Sequence, residues 1–566
     1  MRWQILILVL ALVAIGVLLI GQQPDLIPSV PEVNPTAGGV YSEGLIGSLG
    51  RLNPVLDFHY QADRDVDRLI YSSLLRFDDR GLPVHDLVES MGISRDGRFY
   101  NISIRKDAVW HDGKPLTSED IVFTVEMLRS PDLPVPEDIR SLWETVEVEA
   151  LNEYTLQFRL PEPYSPFLDY LTFGILPKHL LGDIPASELV NAEFNLNPVG
   201  SGPYQFESLL LDGDQIKGVV LKPFQDYYAE PAFIEEFIFR YYPDSQAAFT
   251  AYQEGEVQGI SQIVNEVLPS ALQAPTLNLY SGPVPLLSMV FFNLDNPEVP
   301  FLQDGSIRRA LYMGLDRQHM VDDLMDSQAI LAHGPIFPNS WAYYPGVEQV
   351  PYDPDGAIKL LREAGYTIPA TGGSVRVNDE GQSLELELVY PDDPRYEPFA
   401  QAIASDWRAI GVGVELIPKS YAEVVSTYLE PRAYQTALVD LNLSKTPDPD
   451  PYPFWHQAQI TGGQNYAKWD DRQASEYLEQ ARIEVDIAER TRLYNNFQVR
   501  FTGELPSLPL LYPIYNYAID ELVQGVTMGP LYDPSDRLLT APQWFLLAGR
   551  APASETEAPI ESTPTP

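Results

Sequence analysis

FYNISIRKDAVWHDGKPLTSEDIVFTVE, residues Phe99 to Glu126, carries four structural elements in a fixed order. Tyr100, Ile102 and Ile104 alternate with Asn101, Ser103 and Arg105, the period of a half-buried strand. Asp112-Gly113 then signals a tight turn. Thr117, with Asp120 three residues later, has the spacing of a helix N-cap and its reciprocal partner. Ile121, Val125 and Leu128 follow on one helical face. Strand, turn, aromatic-charged loop and capped helix together predict mixed α/β structure, and no group in the stretch looks catalytic.

The same pattern extends outward. Leu156, Phe158 and Leu160 alternate with polar residues, as do Leu384, Leu386 and Leu388 ahead of Tyr390. Asp353-Pro354 offers an N-cap with proline at the first helical position, and Gly365 marks a stop just past Ala364. Asp486 with Glu489 opens a further helix, in which Leu493, Phe497 and Phe501 share a face. Val414-Glu415-Leu416 reads as strand. No internal repeat is visible. With 566 residues, 45% of them apolar, the chain has room for three or four average domains and for large cores.

The charge is lopsided: 37 basic against 80 acidic residues give a net −43. Such a surface repels nucleic acid and anionic lipid headgroups, so neither is an expected partner. Cysteine is absent, which removes disulfides, thiol nucleophiles, thiolate metal sites and a lipid-modified N-terminal cysteine. Arg2 precedes an apolar run from Ile5 to Ile20, roughly 24 Å as a helix and nearly 30 Å if Trp3 to Gln22 contribute. No small-x-small cleavage site follows, so an uncleaved signal-anchor over residues 1–22, Arg2 inside, is preferred to a cleaved signal peptide. Both place the bulk of the chain outside the cytoplasm. Residues 23–37 are proline-rich and read as a tether, and the tail 551–566 (APASETEAPIESTPTP) as disordered.

Enzymatic constellations are missing. The seven histidines (His59, His85, His111, His179, His319, His333 and His456) form no close metal-binding pair. Gly200-Ser201-Gly202-Pro203 lacks the Lys-Ser/Thr of a phosphate loop, Gly411-Val412-Gly413 begins no dinucleotide fingerprint, and no G-x-S-x-G elbow occurs. Paired carboxylates mean little in a chain this acidic. The expectation is a binding protein, with no catalytic residue, no metal and no cofactor.

Several stretches, in order, resemble one family. They are Leu52-Asn53-Pro54; Tyr71-Ser72-Ser73-Leu74-Leu75; Trp110-His111-Asp112-Gly113-Lys114-Pro115-Leu116-Thr117; and Asn197-Pro198-Val199-Gly200-Ser201-Gly202-Pro203-Tyr204. Phe292-Asn293-Leu294, Ile307-Arg308-Arg309-Ala310-Leu311 and Tyr352-Asp353-Pro354 follow, then Pro447-Asp448-Pro449-Asp450-Pro451-Tyr452-Pro453-Phe454-Trp455-His456 with Asn465-Tyr466. From about Val40 to Leu547 the chain resembles the family 5 extracellular solute-binding proteins, the receptors of dipeptide and oligopeptide ABC importers. The resemblance implies a two-lobed periplasmic-binding-protein-like fold (class II), with an extra domain inserted in the first lobe and a hinge. Lobe 1 is expected at 38–290, with an inserted subdomain at about 80–195 and a return at 515–547; lobe 2 is expected at 291–514.

It also implies ligand-binding residues. Tyr452, Phe454 and Trp455 lie on a proline-rich loop and suit a partly hydrated pocket, though an aromatic cluster packed between prolines is equally consistent. Asn465 and Tyr466 either touch ligand or brace that loop, and Trp341 is a further aromatic candidate. Arg395 falls where dipeptide binders of the family carry an arginine for the ligand carboxylate, a bidentate match. Glu43 and Gly44 are candidates for main-chain pairing to a peptide. One departure stands out: Ser444 to Pro447 contain no acid where peptide binders of the family place an aspartate for the α-amine. Asp440, Asp448 and Glu43 are possible substitutes.

The implied role is capture of peptides, or a similar polar solute, by a monomer that delivers them to ABC permease and ATPase subunits at the membrane. A ligand-sensing receptor on the same fold, or an oligosaccharide binder, is the alternative. Only Met1 to Gln4 precede the apolar run, which favours transport over sensing.

Overall fold

A computed structural model describes residues 35–547, except 371 and 445. The expected membrane segment, most of the tether and the tail lie outside these described residues.

The Phe99–Glu126 stretch folds as its pattern predicts. The strand Phe99–Ile104 buries Tyr100, Ile102 and Ile104 on one face. It sits inside a four-stranded antiparallel sheet in the order Val88–Ile93, Phe99–Ile104, Thr155–Arg159, Glu147–Asn152. Leu156 and Phe158 share its buried side. The helix Ser118–Arg129 buries Ile121, Val125 and Leu128 in the same core. Its N-terminus is closed by Asp120, whose Oδ2 accepts from the Thr117 backbone N–H at 2.8 Å. Complete burial of each such aliphatic side chain contributes about 1.5–3 kcal/mol, so the alternating face outweighs any exposed-face interaction.

The Trp110–Thr117 loop between strand and helix is held by distant glycines. Gly113, at φ +82°, turns the chain, and its N–H donates to Trp110 O at 2.8 Å. His111 then reaches across to Gly200–Gly202. Its backbone N–H donates to Gly200 O at 2.8 Å, its Nδ1 accepts from Gly200 N at 3.1 Å, and its Nε2 lies 3.1 Å from Gly202 O. A neutral Nε2–H imidazole satisfies all three contacts. Both glycines press on the end of the helix Gln61–Ile70. A Cβ at Gly200 would lie 2.0 Å from Ile70 O, and one at Gly202 2.5 Å from Leu69 O. The two glycine-rich motifs of the sequence are thus one physical junction.

A mixed sheet of twelve strands, counted among the described residues, spans the molecule. Its axis is the strand Ser507–Asp520. The first half of that strand pairs antiparallel with Leu286–Phe292, and its second half with Gly259–Ile260 and Leu277–Pro283. Val40–Ile46 lies beyond, parallel to Glu236–Tyr242. On the other side, Leu286–Phe292 leads to Thr436–Asn442, Glu385–Pro391 and Gly413–Lys419. Apolar packing divides at the same place. One core gathers residues from 41 to 241 and again from 515 to 544; two more draw on residues between 287 and 532. A single strand therefore belongs to two cores, as a two-lobed α/β architecture with a shared strand requires.

The other predicted caps are present. Asp353 Oδ1 accepts from Gly356 N at 2.9 Å ahead of the helix Pro354–Glu363, and Gly365 takes φ +88° beyond it. Asp486 Oδ1 accepts from Glu489 N at 2.9 Å and starts Ile487–Glu504, which buries Leu493, Phe497 and Phe501.

Candidate functional site

A cavity of about 910 Å³ opens where three stretches of chain far apart in sequence meet. One wall is the helix Gln61–Ile70 with the loop before it, including Asp57, Phe58, Arg64 and Asp67. The segment from Tyr532 to Asp536 forms a second wall. Asn442, Ser444, Thr446 and Pro447, which follow the strand Thr436–Asn442, form a third.

Charge organises the first two walls. The helix carries Asp63, Asp65 and Asp67, all buried, because the 532–537 segment covers its polar side. Arg64 Nε meets Asp533 at 3.0 Å and Arg68 meets Asp536 at 2.6 Å. Asp65 receives two bonds from the wholly buried Arg537, at 2.9 and 2.7 Å, and Arg537 also binds Glu43 at 2.6 Å. Asp63 accepts from the Gly50 and Arg51 backbone N–H groups at 2.8 and 2.7 Å. Burial pushes the Asp63 carboxyl up, and these two amides pull it back.

The third wall is anchored from behind by residues 446–456. Asp448 is buried, ion-paired with Arg490, and accepts from Tyr494 Oη at 3.1 Å. Its backbone N–H donates to Asp169 Oδ2 at 2.7 Å, across to the Ser165–Leu171 turn. Burial and the neighbouring Asp448 hold the Asp169 carboxyl well above the usual range. Burial raises the Asp448 carboxyl as well, and the Arg490 guanidinium opposes that rise. Asp450 takes a bidentate pair from Arg482 at 2.8 and 2.6 Å and a bond from Tyr164 Oη at 3.1 Å. The Arg482 guanidinium also lies 3.9 Å from the Tyr452 ring centroid.

None of the nine residues predicted to bind ligand lines this cavity. Trp455 is 1% exposed, stacked on Phe291 at 5.7 Å and edge-on to Phe501 at 4.7 Å. Tyr452 stacks on His456 at 4.0 Å, and Phe454 is half-buried against the same core. Asn465 is buried and braces the loop: Nδ2 donates to His456 O and Trp469 O at 3.2 and 2.9 Å, and Oδ1 accepts from Trp469 N at 3.0 Å. Tyr466 lies under Arg432, 5.2 Å from ring centroid to guanidinium, and Trp341 stands in the same way under Arg490, at 5.2 Å. Arg395 keeps a side chain 72% exposed, bonded only to Asp393 at 3.2 and 3.4 Å and 5.5 Å from the Tyr396 centroid. Glu43 is wholly buried among Arg537, Tyr41 and Tyr517, and Gly44 lies in a strand paired on both sides.

The cavity-lining Asp57, Arg64, Asp67 and Arg68 escaped sequence reasoning. The signal of the last three was present in QADRDVDRLI, an amphipathic segment whose polar side is too acidic and too regularly mixed with arginine to be simply solvated. The cavity is lined by acids, arginines and aromatic side chains together, a surface suited to holding a polar solute by hydrogen bonds. Among the described residues, no group of three or more potential metal ligands comes together.

Comparison with known proteins agrees with this geometry. The oligopeptide-binding protein AppA of Bacillus subtilis (strain 168) is 26% identical over 521 residues, covering 90% of this chain and 92% of that one. Its structure in complex with a nonapeptide superposes with a TM-score of 0.65 at 25% identity, over 91% of this chain and all of that one. The dipeptide-binding protein of Escherichia coli (strain K12) is 24% identical over 469 residues, 79% of this chain and 84% of that one. NikZ from Campylobacter jejuni, solved with Ni(L-His), matches at 26% identity and a TM-score of 0.64, covering 89% of this chain and 99% of that one. The model of the bacterial extracellular solute-binding proteins, family 5, matches residues 83–464, well over half of the sequence, and the chain belongs to that family.

Proposed function

We propose that this protein is the extracytoplasmic substrate-binding component of an ABC importer, capturing short peptides between two closing lobes and handing them to a membrane permease. The carrying observation is the charge-lined cavity between the helix Gln61–Ile70, the Tyr532–Asp536 segment and residues 442–447. Its size lies in the range of small-ligand sites. The proposed lobes, 38–290 with 515–547 and 291–514, are supported by the division of apolar cores along Ser507–Asp520. That strand is the proposed hinge element, and ligand shifts the open–closed balance by its differential affinity for the two states.

In this reading the protein binds without turnover, acts as a monomer, and is held at the outer face of the membrane by residues 1–22. No helix among the described residues is long and apolar enough to span a membrane. Arg395, exposed and lightly held, is the proposed partner of a ligand carboxylate when the lobes move. Tyr452, Phe454, Asn465, Tyr466 and Trp341 are proposed to brace, from behind, the segment that forms the third cavity wall.

Native mass spectrometry of the purified protein, followed by denaturation and identification of whatever is released, tests the reading. A mixed set of short peptides is the expected result. Release of a sugar or another single solute would discard the peptide claim.

A further inference from the structure

The cations of the first two cavity walls are already engaged. Arg64 and Arg68 are taken by Asp533 and Asp536, Arg537 by Asp65 and Glu43, and Asp63 is satisfied by two backbone amides. Asp57 and Asp67 both line the cavity, at 8% and 4% exposure, and among the described residues no cation forms an ion pair with either. The Asp67 carboxyl stands beside the Asp57 carboxyl and the Asn53 backbone N–H, and among the described residues neither of its oxygens reaches a partner at full hydrogen-bond geometry. The nearest guanidinium, Arg64, directs Nη1 to the backbone oxygens of Asp57 and Phe58, at 2.8 Å each, and not to the acids.

We propose that Asp57 and Asp67 form a cation subsite in the cavity wall that takes a primary ammonium carried on an alkyl stem, giving the protein a preference for ligands with a lysine-type side chain. This assignment rests on the peptide-capture reading above. A buried carboxyl without a partner is costly, and an ammonium, with three donors on a compact head, relieves two at once. Phe58, Leu69 and Tyr71 line the cavity around the pair and give the methylene stem an apolar surface. A guanidinium is a poorer match, because its planar fork suits one carboxylate bidentately more than two converging ones. A bare metal ion is disfavoured, since no third ligand of that kind joins the pair among the described residues. Burial pushes both carboxyls well above the usual range, with the Asp57 charge adding to the effect at Asp67, and a bound cation reverses that direction.

The test is titration calorimetry of the full-length protein with Ala-Lys-Ala, Ala-norleucine-Ala and their N-acetylated forms, on wild type, Asp57→Asn and Asp67→Asn. A thermal-shift series with n-pentylammonium runs in parallel. Wild type is expected to favour the lysine peptide at least about tenfold, the order of one charge-assisted hydrogen bond. Either near-isosteric variant should reduce that ratio below about threefold while binding the norleucine peptide as before. N-acetylation should leave the ratio unchanged.

Equal binding of lysine and norleucine peptides by wild type, or a ratio that survives in Asp67→Asn, would overturn the subsite while leaving peptide capture intact. A penalty on N-acetylation with no lysine preference would overturn the side-chain assignment in favour of the α-amine. If no peptide binds but pentylammonium raises the melting temperature of wild type and not of the variants, the subsite stands and the peptide reading falls. No response to either probe marks the acids as a proton-sharing, water-bridged pair, and the proposal fails.

Discussion

Replacing Asp448 by Asn should destabilise the protein by about 3 kcal/mol, although the substitution is nearly isosteric. Asp448 and Arg490 are 3% and 5% exposed, and Arg490 Nη2 is bonded to Asp448 Oδ2. Asparagine keeps an oxygen for Tyr494 Oη and for the Asp450 N–H, each now at 3.1 Å, so the hydrogen-bond count barely changes. The charge balance changes completely. Arg490, raised in pKa by Asp448, stays protonated, and its other bonds, to Ala481 O at 2.9 Å and against the Trp341 ring at 5.2 Å, carry no negative charge. Breaking a buried pair from one side typically costs about 3–5 kcal/mol, and relief of the Asp448–Asp169 repulsion brings the expectation to the lower end. Urea unfolding followed by tryptophan fluorescence measures it, with Trp455 and Trp469 reporting the affected core. The double variant Asp448→Asn/Arg490→Met should recover about half of the loss, because no lone buried charge remains. A loss below about 1 kcal/mol in Asp448→Asn, or strict additivity in the double variant, would refute the claim that this ion pair anchors the loop 446–456.

Three other outcomes follow from local geometry. Gly200→Ala places a Cβ 2.0 Å from Ile70 O, a backbone atom, and should cost about 3 kcal/mol or prevent folding; the melting temperature and soluble yield decide it. His111, with its pKa pushed down by burial to about 4, is neutral in the fold and charged when unfolded below about 6.5. Its folded form binds the proton less tightly, so stability is complete above about 6.5 and is lost as pH falls toward 4, by about 3 kcal/mol in all. His111→Gln should flatten that limb of the unfolding free energy against pH. Arg395→Ala removes an exposed pair with Asp393 and should change stability by less than about 0.5 kcal/mol, while weakening peptides with a free C-terminus more than their amides in a binding titration.

The fold was legible wherever a short-range pattern had one physical reading. Alternation at Tyr100, Ile102 and Ile104, and caps at Thr117, Asp353 and Asp486, depend on neighbours within a few residues, so local sequence decides them. The candidate cavity was not legible, because the chemistry of aromatic or acidic residues does not say which face of the fold they occupy. Trp455 has the amphipathic character of a cleft residue, yet its ring stacks on Phe291 from a strand 164 positions earlier in a core that no local pattern announces. Glu43 stands in a strand buried on both faces, and its counter-charge Arg537 is 494 residues away. The helix Gln61–Ile70 makes the same point by subtraction. Its arginines pair with Asp533 and Asp536, and its Asp65 pairs with Arg537, from a segment more than 460 residues distant. Only after those pairs are assigned does Asp67 emerge as the helix acid whose oxygens find no partner among the described residues, with Asp57 beside it. A functional acid in so negative a chain is identified by what the fold fails to neutralise, and that remainder is a property of tertiary contacts.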